Sequence, residues 1–446
     1  MERLMQYVWQ HRLWMPGSIG DVDGNPVSVI DPGLINTNAG PDFFNAKVRI
    51  GDRLWVGNVE IHVRASDWHR HGHDSDPAYH SVVLHVVQHS DTRIRRPDGE
   101  LIPQVVMPCA EDFRHHYEQM VHNPCADLPC AEYLRSLEPI HVRSWVDALA
   151  HERLYAKSDR VRQLYERLGA DWQAVIFVTL ARALGFGLNS DPFERLALSI
   201  NPAVMMKHRD NRIALEAILF GQAGLLNPEN VDPASRPYLE RLRQEYDFMA
   251  TKFNLKPPAA LGWKMARMRP QNFPHRRVAA LAAIIAGGFE AAQRLFYITD
   301  AEQARALFDA NLEGFWAGHS NFGAGREGGS AKAFSSDSLN VLTINVVVPI
   351  LNAYSEIYGD DSMHERALDI LHVLPAERNS IIRLFSSAGV RCSDAYTSQA
   401  LIQLRREYCD ARKCLYCRIG HRYLATKATG GAKHSACSKQ ALDVQA

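Results

Sequence analysis

The stretch Gly40-Pro41-Asp42-Phe43-Phe44-Asn45-Ala46-Lys47-Val48-Arg49-Ile50-Gly51-Asp52-Arg53-Leu54-Trp55-Val56-Gly57-Asn58-Val59-Glu60-Ile61-His62-Val63 decides how this chain is read. Residues 43–50 and 54–63 are two β-like runs, and Gly51-Asp52 suits the turn of a hairpin between them. Folding at that turn brings position 42 back towards position 60 or 61. In the second run, Val59, Ile61 and Val63 share one face by period-two alternation, and Glu60, His62 and Arg64 share the other. One face is core and the other has the composition of a site. Asp42 and Glu60 can then converge on one divalent ion. A hard cation such as Mg²⁺ or Mn²⁺ fits, because it takes carboxylate and carbonyl oxygens and keeps water. The Ile61 carbonyl lies next to such an ion. His62 is placed to orient an attacking water or to steady charge on a phosphate.

Working outward, residues 1–14 read as a short helix, residues 27–30 as a strand, and residues 36–42 as a polar loop. Residues 81–87 and 102–107 are further strands, and residues 111–121 are expected to be helical. His69, His71 and His73 alternate, with Asp74 and Asp76 close behind. On an extended segment His71 and His73 face one way and can share Zn²⁺ or Mn²⁺ with Asp76. They can equally touch a substrate phosphate, or form a polar loop beside the site. His85, in an apolar run, reads as a core histidine.

Gly-Pro-Asp, a hairpin and Glu-Ile-His together resemble the PD-(D/E)xK nuclease superfamily. That resemblance implies a helix, three strands, a helix and a strand, with Asp42 and Glu60 as metal ligands. It implies a metal-dependent phosphodiester hydrolase, with a further acid from the first helix, for which Glu2 is the candidate. His62 stands where the superfamily has lysine. The departure leaves open a catalytically inactive, nuclease-like binding or scaffold protein. A Zn or Mn hydrolase of a small substrate, centred on His71, His73 and Asp76, is the other alternative. On the nuclease reading DNA is the expected partner, and Arg49, Arg53, Arg64, Trp55 and Trp68 are expected near the site to meet phosphates or bases. The chain as a whole also resembles an uncharacterised bacterial family of unknown function. Asn38-Ala39-Gly40-Pro41-Asp42-Phe43, Gly57-Asn58-Val59-Glu60-Ile61-His62, Ser66-Asp67-Trp68, Leu84-His85-Val86-Val87, Arg269-Pro270-Gln271-Asn272-Phe273-Pro274 and the run from Tyr408-Cys409 to Gly420 carry that likeness.

Residues 136–425 change texture. Apolar residues recur at helical spacing from Val142 onward, and strand signals nearly vanish. The expected architecture is α+β overall: a mixed α/β, restriction-endonuclease-like domain over residues 1–130, then a long all-α domain over residues 136–425. The helical domain offers a surface for a protein partner. It ends in the cysteine cluster Cys409-x4-Cys414-x2-Cys417, flanked by arginines and lysine that favour thiolate. Cys392 or His421 is the expected fourth ligand, giving a Zn²⁺ site or, with Cys392, a [4Fe–4S] cluster. Cys109, Cys125, Cys130 and Cys437 show no metal-binding spacing. Residues 426–446 are expected to be a disordered tail.

The formal net charge is +0, with 50 basic and 50 acidic residues, which excludes broad electrostatic coating of nucleic acid. No export segment and no run of about 18 apolar residues is present, so a cytoplasmic protein without a membrane span is expected. Cysteines clustered in a long chain of that kind read as metal ligands and not as a disulfide framework.

Overall fold

The computed structural model describes residues 1–14, 19–36, 38–107, 114–115, 117–118, 120, 128–288, 291–323, 325 and 331–428. The chain forms two compact units. One holds Met1–Trp145, Ser387–Val390 and Arg405–Ala446, and the other holds Val146–Ser386 and Arg391–Leu404.

The first unit is built on a seven-stranded sheet. Its strands are β1 (Gly20–Asp21), β2 (Val27–Asp31), β3 (Leu34–Ile35), β4 (Phe43–Ile50), β5 (Arg53–Arg64), β6 (Val82–His89) and β7 (Gln104–Val106). Their order is β1-β7-β6-β5-β4-β2, with β3 beside β4. β2, β4 and β5 are antiparallel neighbours. β6 runs parallel to β5, as a crossover connection requires, and β7 runs parallel to β6. The crossover from β5 to β6 carries helix α2 (Asp67–Arg70) and the 3₁₀ turn Pro77–Ser81, and α1 (Glu2–Gln10) precedes the whole sheet. Leu4, Met5, Val8 and Trp9 of α1 are buried in one core with Phe43, Val48, Val59, Ile61, Leu84 and Val86. The apolar face expected on β5 is that core.

The hairpin turns at Gly51-Asp52, with Ile50 opposite Arg53 and Gly51 at φ +54°. Glycine takes that left-handed backbone without a Cβ penalty. The ladder runs one-to-one to Ala46↔Gly57, then resumes at Phe43↔Val59. Phe44 and Asn45 together oppose Asn58, so β4 bulges by one residue. Asn45 adopts φ +55°, which asparagine tolerates better than most residues. The bulge has a precise seat. A Cβ on Gly33 (φ +88°) would lie 2.5 Å from the Phe44 carbonyl oxygen, so only glycine lets the chain pass there. Continued without the bulge, the hairpin would bring Asp42 level with Ile61. With it, Asp42 is level with Glu60.

The C-terminal segment belongs to this same unit. Leu415 and Leu424 are buried with the sheet core, because the helix Arg418–Ala428 turns its apolar side onto it. This corrects the expected division at residues 130 and 136. The cysteine motif ends the sheet unit and not the helical one. The helix also continues to Ala428, past the expected start of the tail. Residues 429–446, and most of the helix expected over residues 111–121, lie outside the described residues.

The second unit is helical, and among its described residues no named strand occurs. Asp171 starts the helix Trp172–Leu184 by accepting the backbone N–H groups of Gln173 at 2.9 Å and Ala174 at 3.2 Å. Ser336–Tyr358, interrupted by a π-turn at Thr343–Val347, has the length and mean hydropathy of a membrane span, but Asn340, Asn345 and Asn352 break it, so it is no continuous run of about 18 apolar residues. Its most apolar window is 67% buried inside the protein, as befits a core helix.

Candidate metal centre

Asp42 and Glu60 meet at the bulged end of the hairpin. The Asp42 backbone N–H donates to Glu60 Oε2 at 3.1 Å. The Ile61 N–H donates to Asp42 Oδ2 at 3.0 Å, so a carboxylate takes the ladder position of a backbone carbonyl. Gln6 of α1 donates to Asp42 Oδ1 at 2.7 Å. Burial pushes both carboxyls well above their usual range, and Asp42 pushes Glu60 further. The Glu2 carboxylate, also on α1, raises both. Three acids therefore bear on one place where no side-chain cation is paired with Asp42 or Glu60 among the described residues.

Imidazoles close the other side. Glu60 Oε1 faces His73 Nε2 at 3.3 Å and His62 Nε2 at 3.5 Å. His62 Nε2 is 3.2 Å from His71 Nδ1, and His62 Nδ1 is 2.9 Å from His85 Nε2. His62, His71 and His73 each offer a ring nitrogen within 4.8 Å of the others, the one such group of three or more His, Cys, Asp or Glu ligand atoms among the described residues. Burial, then the neighbouring histidines and Arg70, push His62 down to about 2. Burial lowers His73 likewise and takes His85 down to about 3. These rings stay neutral at neutral pH, the form in which imidazole binds a metal.

The histidines do not meet by strand alternation. Asp67–Arg70 is a helical turn capped at His71, and Gly72 follows at φ +76°. That left-handed residue turns the chain so that His73 comes back beside His71. Tyr79 stacks on His73, with ring centroids 3.7 Å apart. Trp68 is buried and stands edge-on to His62, His73 and His85 at 5.3–6.3 Å. Trp68 therefore walls the site from inside and is not a platform for bases. His85 is a neighbour of the site as well as a core residue. The sequence reading assigned no role to Tyr79 or Gln6.

Other expectations are corrected by placement. Asp76 caps the Pro77–Ser81 turn by accepting the Ala78 N–H at 2.9 Å, so Glu60 and not Asp76 is the carboxylate touching the histidines. Asp74 is paired with His69 at the surface. Arg49, Arg53 and Trp55 sit towards the turn of the hairpin. Seven residues of strand separate Arg53 from Glu60, about 23 Å at roughly 3.3 Å per residue. Arg64 stays close, lining an open groove with Glu2, Val63, Asp67, Arg70 and His71.

Of the cysteines, Cys392 lies in the helical unit, where its thiol reaches the Asp394 carbonyl at 3.9 Å. His421 is engaged by Tyr7 and lies against His11. Cys109, Cys125 and Cys437 lie outside the described residues.

Residues 2–380 match the family described as "Protein of unknown function (DUF2851)". No curated protein and no solved structure matches the chain.

Proposed function

We propose, for a chain that belongs to the DUF2851 family, that the junction of Asp42, Glu60, His62, His71 and His73 holds a divalent ion and hydrolyses phosphodiesters. The observation that carries this reading is the convergence of ring nitrogens of His62, His71 and His73 within 4.8 Å, beside Glu60 Oε1, which faces His73 Nε2 at 3.3 Å and His62 Nε2 at 3.5 Å. Three imidazoles with carboxylate oxygen favour Mn²⁺ or Zn²⁺ over Mg²⁺. Bound there, the ion supplies Lewis acidity towards a phosphate oxygen and lowers the pKa of water. The chain's own groups do the rest. His62 and His73, held by His85 and Tyr79, present fixed nitrogens. Asp42, kept in place by Gln6 and Ile61, balances the cation's charge. Arg64 and Arg70 border the open groove and suit an anionic substrate.

The order of elements supports the nuclease-like form of this reading. Apart from the two-residue strands β1 and β3, a helix, three antiparallel strands, a short helix and a parallel strand follow one another in α1, β2, β4, β5, α2 and β6. The histidine for lysine exchange at residue 62 then reads as a change of metal chemistry rather than a loss of activity. The three-histidine set also favours a second reading, hydrolysis of a small substrate.

The experiment compares Mn²⁺- and Zn²⁺-dependent cleavage of single-stranded DNA, double-stranded DNA and a small phosphodiester. Asp42→Ala and Glu60→Ala are both expected to abolish the metal-dependent rate on whichever substrate is cut. Cleavage that survives both substitutions contradicts the assignment. Cleavage of the small ester alone favours the second reading.

A further inference from the structure

We infer that Cys130, Cys409, Cys414 and Cys417 form a four-thiolate site for a [4Fe–4S] cluster, separate from the histidine site and independent of its function. All four cysteines are free and belong to the sheet unit. Cys130 contributes from the N-terminal part of the chain and the other three from its far end. Their charges act on one another. Cys130 feels Cys417 and Cys414, and Cys409 feels Cys130, Cys417 and Cys414. Cys130 and Cys414 both pack against the core that holds Leu415 and Leu424. Tyr423, which feels Cys130, rests on Tyr133 with ring centroids 5.1 Å apart. The locus is therefore a single half-buried place assembled from two distant segments.

The local backbone is shaped for ligand sulfur. Arg412, at φ +53°, closes the turn between Cys409 and Cys414, where its N–H donates to the Cys409 carbonyl at 3.1 Å. Cys414–Tyr416 is a 3₁₀ turn, and the helix Arg418–Ala428 begins directly after Cys417. The backbone N–H groups of Ile419 and Gly420 donate to the Cys417 sulfur. Such bonds to sulfur steady a negatively charged cluster. Gly420 passes so close that a Cβ there would lie 2.2 Å from the Cys414 carbonyl oxygen.

Four thiolates from two distant segments suit an iron–sulfur cluster, and acid-labile sulfide separates it from zinc. The cluster staples the returning C-terminal segment to the sheet unit, and Cys130 takes the place that the sequence reading gave to Cys392.

The test is metal and sulfide analysis of the full chain purified without oxygen. Iron and acid-labile sulfide are expected in equal amounts, with broad visible absorption that bleaches on reduction. Cys130→Ser is expected to lose at least nine-tenths of the iron, and Cys392→Ser to keep it. Alkylation of the native wild type provides a check that does not depend on a variant folding. Cys392 should react, and the four ligands should react only after the cluster is removed. Zinc without sulfide, iron unaffected by Cys130→Ser, loss of iron in Cys392→Ser, or free alkylation of the four thiols each overturns the proposal. Failure to take up iron and sulfide on reconstitution does so as well.

Discussion

Glu60→Gln is expected to cut metal-dependent turnover at least about a hundredfold, a loss that even the outer partners of metal ligands approach when removed, and to make the metal-free protein more stable at neutral pH. The two effects share one cause. Glu60 is 5% exposed and lies against Asp42, so its carboxyl stays protonated to higher pH in the folded chain than its usual 4.5. A group whose folded pKa is raised adds stability in full below its unfolded pKa. That stability is lost as pH climbs towards the folded value. Between those limits the metal-free protein loses up to about 1.4 kcal/mol per pH unit. Glutamine keeps the shape and the acceptor for the Asp42 N–H but carries no charge, so the variant's stability curve should be flatter over that window. Mn²⁺ binds the deprotonated acid and reverses the penalty in the wild type, with release of protons. Thermal unfolding at pH 5 and pH 8, with and without Mn²⁺, checks the pattern. A variant less stable than wild type at pH 8 without metal, and equally stabilised by it, contradicts the role given to Glu60.

Phe43→Ala should cost about 3–5 kcal/mol, the usual range for emptying a buried aromatic site, and should take the activity with it. Phe43 is fully buried and opposes Val59, the first pair on the far side of the bulge. Its ring is what resists the one-residue slip that would bring Asp42 level with Ile61. Phe43→Leu keeps an apolar anchor and should retain both register and cleavage at a smaller cost in stability. Denaturant unfolding gives the first quantity, and cleavage under strongly folding conditions gives the second. Full activity in folded Phe43→Ala would mean that the register is held elsewhere.

The hairpin was legible because its signals are local. Gly51-Asp52 marks the turn, and alternation marks the buried face of Val59 and Ile61. The bulge was not, because Phe44 and Asn45 read equally well as ordinary strand residues. The strand register and the close passage over Gly33 show that one of them is extra. The histidines were legible as a group but not in their geometry. Alternation assumed an extended chain, whereas a helical turn and the left-handed Gly72 bring His71 and His73 together. Glu60 and His62 were assigned to one face correctly, yet that face is also buried, under Trp68 and Tyr79 from the crossover. Cys130 was invisible for a different reason. Its neighbours lie at the other end of the chain, and spacing rules see only nearby residues. For the same reason the return of Leu415 and Leu424 to the sheet core could not be read from the helical texture around them.

The most direct measurement is calorimetric titration of Mn²⁺ into the full chain, an ion that thiolates bind poorly. One ion per chain is expected, taken up with release of protons, and weakened at least about tenfold by His73→Ala and by His62→Ala. Unchanged affinity and stoichiometry after replacing His62, His71 and His73 together by alanine would contradict the account.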